Sequence, residues 1–170
     1  PVPRKSFTLL KKTFNIGTNV SVRTNAFLKK TLTYTVAVQN HQDALRVLRA
    51  AKILQEDGEI GETLSLADNV ILQRSCCRRS FIRGAFLAAG SISDPEKFYH
   101  LEIVCPTAGK ASQIQTVIGT FGIDAKMVVR KKYFVVYVKE GSQIVDLLNV
   151  MEAPVSLMEL ENIRILRGMR

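Results

Sequence analysis

The residue types that carry catalysis or hold metals are sparse in this sequence and poorly spaced for either task. His41 and His100 lie far apart with no carboxylate cluster beside them, so they form no metal-ligand spacing. Cys76 and Cys77 are adjacent and Cys105 stands alone, which suits neither a zinc site nor a disulfide framework. Adjacent cysteines rarely bridge one another, so a reduced, intracellular chain is expected. Cations are what the sequence has in excess. With 24 Lys and Arg against 15 Asp and Glu, the net charge is +9, and the pI is near 9.7. Such an excess suits a polyanion, most often nucleic acid, because each neutralised phosphate releases counterions. A merely basic soluble protein would show the same balance. Two short basic runs stand out, Lys29-Lys30 and Arg130-Lys131-Lys132.

The elements that must position these cations are readable from periodicity. The stretch Ser75 to Ser91 reads as a helix without proline, with Ile82 its one β-branched residue. Gly90 falls where a glycine stop is expected. Gly84 and Ala88 lie four apart, as do Ala85 and Ala89, so one side of the helix is nearly bare and suited to close helix packing. An ordinary alanine-rich core helix fits the same spacing. Before it, Pro1 to Lys5 reads as a basic lead-in and Ser6 to Phe14 as a helix. Asn19 to Thr24 and Thr31 to Gln39 alternate like strands, and Gln42 to Leu54 is helical. After it, Ser91 to Lys97 reads as a turn and Phe98 to Val104 as a strand. A helix opens at Thr107 and runs to about Phe121; Ile123 to Lys131 and Tyr133 to Lys139 pair as strands. Gly141 to Val150 is a helix, and Pro154 breaks the chain before a last one, Val155 to Met169. No apolar run approaches the roughly 18 residues that cross a membrane, and no signal-type segment follows the N-terminus.

Part of this order occurs twice. Thr13-Phe14-Asn15-Ile16 matches Thr120-Phe121-Gly122-Ile123 at an offset of 107, where Val20, Val22 and Arg23 meet Met127, Val129 and Arg130. At an offset of 100, Tyr34, Val36, Val38 and Leu48 meet Phe134, Val136, Val138 and Leu148. Helix, strand, strand, helix is therefore duplicated. The second copy has the bare helix and a strand ahead of the repeated part, so the first copy is expected to be incomplete at its N-terminus.

Gly84-Ala85-Phe86-Leu87-Ala88-Ala89-Gly90 resembles a worn LAGLIDADG motif, the helix-crossing signature of a homing endonuclease family. A narrower resemblance is to the WhiA regulators of Gram-positive bacteria. It is carried by Cys76-Cys77-Arg78-Arg79, Arg83 to Ala88, Asp94-Pro95-Glu96, Tyr99 to Ile103 and Glu159-Leu160-Glu161-Asn162. The resemblance implies an α+β chain with the duplicated αββαββα fold and curved antiparallel sheets. It divides the chain into an incomplete first repeat (1–55), a connector (56–74), a second repeat (75–154) and a C-terminal helix (155–170). That helix would lead towards a helix-turn-helix domain absent from this sequence.

In the endonucleases the acid just before the final motif glycine holds a divalent metal, and here that position is Ala89, with Leu87 at the other usual acid. A methyl group cannot ligate Mg²⁺, and the next acid along, Asp94, lies beyond a turn, so no nuclease activity and no cofactor are expected. What remains is a scaffold for binding. The resemblance implies a sheet whose open face lies along double-stranded DNA. By alternation Val20, Val22, Met127 and Val129 would face the helices, and Ser21, Arg23, Val128 and Arg130 the open side. The candidate DNA contacts are Arg23, Lys29, Lys30, Lys126, Arg130, Lys131, Lys132 and Tyr133, with Tyr137 nearby; each charge could equally be merely solvated. Gly84, Ala85, Ala88, Ala89 and Gly90 are the candidate packing residues of the motif helix, towards an absent segment, a second chain or a protein partner. Arg78, Arg79 and Arg83 surround it and suit interdomain packing. The function so implied is an inert domain of a WhiA-type regulator that supports DNA binding in sporulation or cell division. A protein-interaction module without DNA affinity is the alternative. The setting implied is cytoplasmic, at the nucleoid, with neither a membrane nor a small-molecule ligand.

Overall fold

The computed structural model of the chain describes residues 2–25, 31–54 and 66–168. Two compact units, Pro1–Leu64 and Ser65–Arg170, divide it inside the expected connector.

In the first unit the order is α1 (Val2–Phe14), β1 (Asn19–Asn25), β2 (Thr31–Ala37) and α2 (His41–Ala50). Helix α1 takes in most of the expected lead-in, because Pro3 in a first turn gives up an N–H that has no helical partner anyway. Lys11 and Lys12 occupy its last turn, where cations suit the helix dipole. Asn40 caps α2 by accepting from the Asp43 N–H at 3.1 Å. The two strands are antiparallel, with Val20 opposite Val36 and Val22 opposite Tyr34. Val20 and Val22 are expected to face the helices, and they stay 48% and 51% exposed. Val20 does lie towards α1, lining a cleft of about 420 Å³ with Pro3, Arg4, Phe7 and Tyr34. One helix on two strands covers that face incompletely, and neither helix of this unit has a buried residue.

The second unit runs α3 (Ser75–Ala89), β3 (Gly90–Ile92), β4 (Leu101–Cys105), α4 (Ala108–Gly119), β5 (Lys126–Arg130), β6 (Tyr133–Val138), α5 (Gly141–Val150) and α6 (Pro154–Gly168). Its four strands form one antiparallel sheet in the order β3-β4-β6-β5. Leu101, Ile103 and Cys105 of β4 are buried and stand opposite Val138, Val136 and Phe134 of β6, so they share one face. Ile82, Ala111, Ile114, Ile118, Ile144, Leu147 and Leu160 bring the helices onto that face and close the core. Residues before α3 are tied in as well. The Gln113 side-chain amide donates to the Ala67 carbonyl at 2.6 Å and accepts from its N–H at 2.9 Å.

Three expectations need correcting, and a fourth holds only in direction. Ser91 and Ile92 belong to the short strand β3, not to a turn; three residues give no alternation to read. Gly90 ends α3 with φ −90°, outside the left-handed region, so it is not the usual glycine stop. Its reason is space: a Cβ there would run into the Phe86 ring, within 2.6 Å of Cγ. Pro154 opens α6 and does not break the chain before it. Met127 and Val129 share the helix-facing side of the ladder but remain 42% and 61% exposed, because β5 is the sheet edge.

The duplication is plain in the backbone. Helix α2 maps onto α5 at an offset of 100, end to end. The pairings Val20↔Val36 and Val22↔Tyr34 recur as Met127↔Val136 and Val129↔Phe134. Left-handed residues recur too: Asn15 (φ 55°) with Gly122 (φ 77°), and Lys52 with Glu152 (both φ 55°).

Candidate nucleic-acid interface

Strand alternation decides what the second unit's sheet presents away from its helices. Across the ladder Ser91 stands opposite Glu102, Glu102 opposite Tyr137, and Tyr137 opposite Lys126, so these four share the open face. Val104, Val135 and Val128 form the next row, and Tyr133 with Arg130 the last. Of the expected DNA contacts, Lys126, Arg130 and Tyr133 are thus brought onto one face, all exposed. Lys131 and Lys132 form the two-residue turn joining β5 to β6, with Lys131 in the left-handed region at φ 57°. Lys132 lies over the Tyr133 ring, its Nζ 5.4 Å from the centroid, and Lys139 lies 5.2 Å over Tyr137.

At the centre of the open face is an ion-pair cluster. The Arg130 guanidinium donates through both terminal nitrogens to both Glu102 oxygens, at 3.1 and 2.8 Å. His100 Nε2 is 2.9 Å from Glu102 Oε2, and its ring stacks on Tyr137 at 5.8 Å. The Glu102 side chain is 13% exposed, whereas that of Arg130 is 55% exposed. The hydrogen bonds from Arg130, and then from His100, hold the Glu102 carboxyl below the usual carboxylate range against an opposing effect of burial. Glu102 in turn pushes Arg130 above its ordinary value. A shallow cleft of about 630 Å³ lies beside the cluster, bordered by Ser91, Phe98, Arg130 and Lys139. The sequence expectation named Arg130 and missed Glu102, although His100 and Glu102 at a spacing of two were a readable same-face signal.

In the first unit Arg23 stands opposite Thr33, is exposed, and has no ion pair among the described residues. Lys29 and Lys30 lie outside the described residues.

The motif helix presents its bare side to an apolar groove of about 410 Å³. Gly84, Ala85, Ala88 and Ala89 form one wall, with Ile103 and Ile114 opposite. Gly90 is engaged instead by Phe86. The three arginines expected to pack between domains all have contacts within the second unit. Arg78 donates to the Leu72 and Gln73 carbonyls at 3.3 and 2.9 Å, and Arg78 and Arg79 both lie over Phe121. Arg83 pairs with Glu152 at 2.5 Å. Among the described residues no three His, Cys, Asp or Glu side chains are placed to hold a metal ion. No helix among them is long and apolar enough to cross a membrane.

A helix, two strands, a helix, two strands and a helix, with the latter part repeated, define the LAGLIDADG class of α+β proteins. Residues 78–170 match the WhiA LAGLIDADG-like domain and residues 1–54 the WhiA N-terminal LAGLIDADG-like domain. The chain belongs to the WhiA family. It is 54% identical to the probable cell division protein WhiA of Lachnoclostridium phytofermentans, covering 99% of this chain and 54% of that one. The corresponding protein of Clostridium novyi is 44% identical, covering 99% and 53%. The chain therefore spans about half the length of the curated relatives it matches. Full-length DUF199/WhiA from Thermatoga maritima superposes with a TM-score of 0.66 at 19% identity, over 97% of this chain and 49% of that one. The homing endonuclease I-DmoI in complex with DNA and Mn shares the fold at a TM-score of 0.54 and 11% identity, over 85% and 69%.

Proposed function

We propose that this chain is a DNA-binding domain on a homing-endonuclease scaffold, without nuclease activity, within a transcription regulator of cell division or sporulation. The observation that carries it is the β5–β6 hairpin, which puts Lys126, Lys131 and Lys132 at an exposed edge of a fold it shares with a nuclease solved on DNA. Lysines at a hairpin tip suit phosphates and carry no base code, so the expected binding is tolerant of sequence. Cleavage has no support in the residues: Leu87 and Ala89 stand where the resemblance puts the acids, and an in-line displacement needs carboxylate oxygens to hold its metals. On this reading the repeats span 1–55 and 75–154, joined by 56–74, and 155–170 leads towards a promoter-reading domain. Such a domain works at the nucleoid.

The test is fluorescence anisotropy of the chain on duplex DNA across a salt series, with Mg²⁺ present to expose any cleavage. If Lys131 and Lys132 each neutralise one phosphate, Lys131→Ala/Lys132→Ala flattens the slope of log K against log salt by about 1.8. Absence of binding at low salt refutes the reading. A second reading, a docking face for another helix, is favoured by the apolar groove along Gly84 and Ala88. It predicts association that ignores salt.

A further inference from the structure

Arg130 is the arginine that the alternation aims at DNA, yet its fork is occupied. Both terminal nitrogens face both oxygens of Glu102, the end-on pairing that a phosphate or a guanine edge would require of the same group. The carboxylate is not a loose surface group. Its side chain is 13% exposed, it sits on β4 in the middle of the sheet, and His100 Nε2 holds one of the same oxygens at 2.9 Å. A phosphate reaching Arg130 would have to displace an anion that cannot swing into water, and would leave that anion beside itself. Arg23, the counterpart 107 residues earlier, has no ion pair among the described residues.

We infer that Glu102 acts as a built-in substitute for phosphate, withholding Arg130 from DNA and leaving the phosphates that meet this sheet to the hairpin lysines. The inference rests on the proposal that the sheet face binds DNA, and it makes Glu102 a positioning residue that sets where on the face phosphates lie. The two arginines equated by the repeat are then unequal in function.

Four chains test it on one duplex across the same salt series: native, Arg130→Ala, Glu102→Gln and the double variant. Glutamine keeps the size of the side chain, and circular dichroism with a melting curve checks that each variant folds. Arg130→Ala is expected to leave the slope of log K against log salt unchanged. Glu102→Gln is expected to steepen it by about 0.9, so that affinity falls roughly 3.5-fold more between about 50 and 200 mM salt. The double variant returns to the native slope. A native slope that flattens in Arg130→Ala, with no steepening in Glu102→Gln, overturns the inference.

A second arm needs no DNA. In ¹⁵N spectra, rotation of the Arg130 guanidinium about its Cζ–Nη bonds is slowed in the native chain and freed in Glu102→Gln. Free rotation in the native chain also overturns the inference. If neither chain binds duplex at the lowest salt, the DNA reading itself fails and the withholding role fails with it. The rotation rates still report whether the fork is closed.

Discussion

Two glycines six residues apart, Gly84 inside the motif helix and Gly90 just past its end, should respond to alanine with opposite signs. At Gly84 an added Cβ meets nothing within 4 Å, while the backbone is mid-helix. Gly84→Ala should therefore gain the difference in helix propensity, about 0.8–1.0 kcal/mol, in part by restricting the unfolded chain. For a unit of this size that is a rise in melting temperature of roughly 4 °C. At Gly90 the Cβ would overlap the Phe86 ring, whose Cγ is 2.6 Å away. The ring sits against the core and cannot leave freely, so Gly90→Ala should cost about 1–3 kcal/mol, as overpacking does. Urea unfolding followed by circular dichroism, with sedimentation velocity on the same samples, reads both effects. Loss of stability in Gly84→Ala would refute the reasoning for the monomer. Were that loss to come with a drop in self-association, the bare side would be a contact between copies. A neutral or stabilising Gly90→Ala would refute the account of why glycine stands there.

Two further outcomes follow from the ionisable groups. Glu102 has its folded-state pKa lowered by Arg130 and His100, so it stabilises the fold at pH above the unfolded carboxylate value, near 4.3. That contribution disappears as pH falls through the lowered folded value. Between pH 6 and pH 3 the native chain should lose more stability to urea than Glu102→Gln does, and equal losses would remove the cluster from the balance. Among the thiols, Cys105 is 2% exposed and burial pushes its pKa up, whereas Cys76 is exposed. A thiol reagent should label Cys76 first and reach Cys105 only on unfolding; three thiols of equal speed would contradict the packing of β4.

Among the described residues, sequence pattern placed all six helices and five of the six strands, most of them through a recurring apolar face or alternation. It missed β3, since Gly90-Ser91-Ile92 is too short to alternate and is defined by its pairing with Ile103, Glu102 and Leu101. Alternation assigned Met127 and Val129 to the correct side of the ladder but could not say that the sheet ends there. Coverage depends on strand order, which is a long-range property. The Glu102–Arg130 pair was hidden for the same reason. The two residues are 28 apart, and only the placing of β6 between β4 and β5 brings a reaching arginine across to a carboxylate.

The duplication shows which features such a scaffold preserves and which it lets vary. Where the backbone must turn left-handed, both copies comply with different side chains: Asn15 and Gly122 after one helix, Lys52 and Glu152 after the next. The demand there is on φ, and asparagine or glycine meets it at little cost, while a lysine or glutamate is held by what surrounds it. Glu152 has such a tie, its carboxylate 2.5 Å from Arg83 of the motif helix. Charge is treated otherwise. Arg23 and Arg130 keep their place in the repeat, but the second reaches across β6 to an acid on β4, two strands away, and the first stands, among the described residues, in a sheet of two strands. In the second copy a strand beyond the arginine's own neighbour supplies the carboxylate that pairs with it. Geometry has been duplicated here, and electrostatics has not.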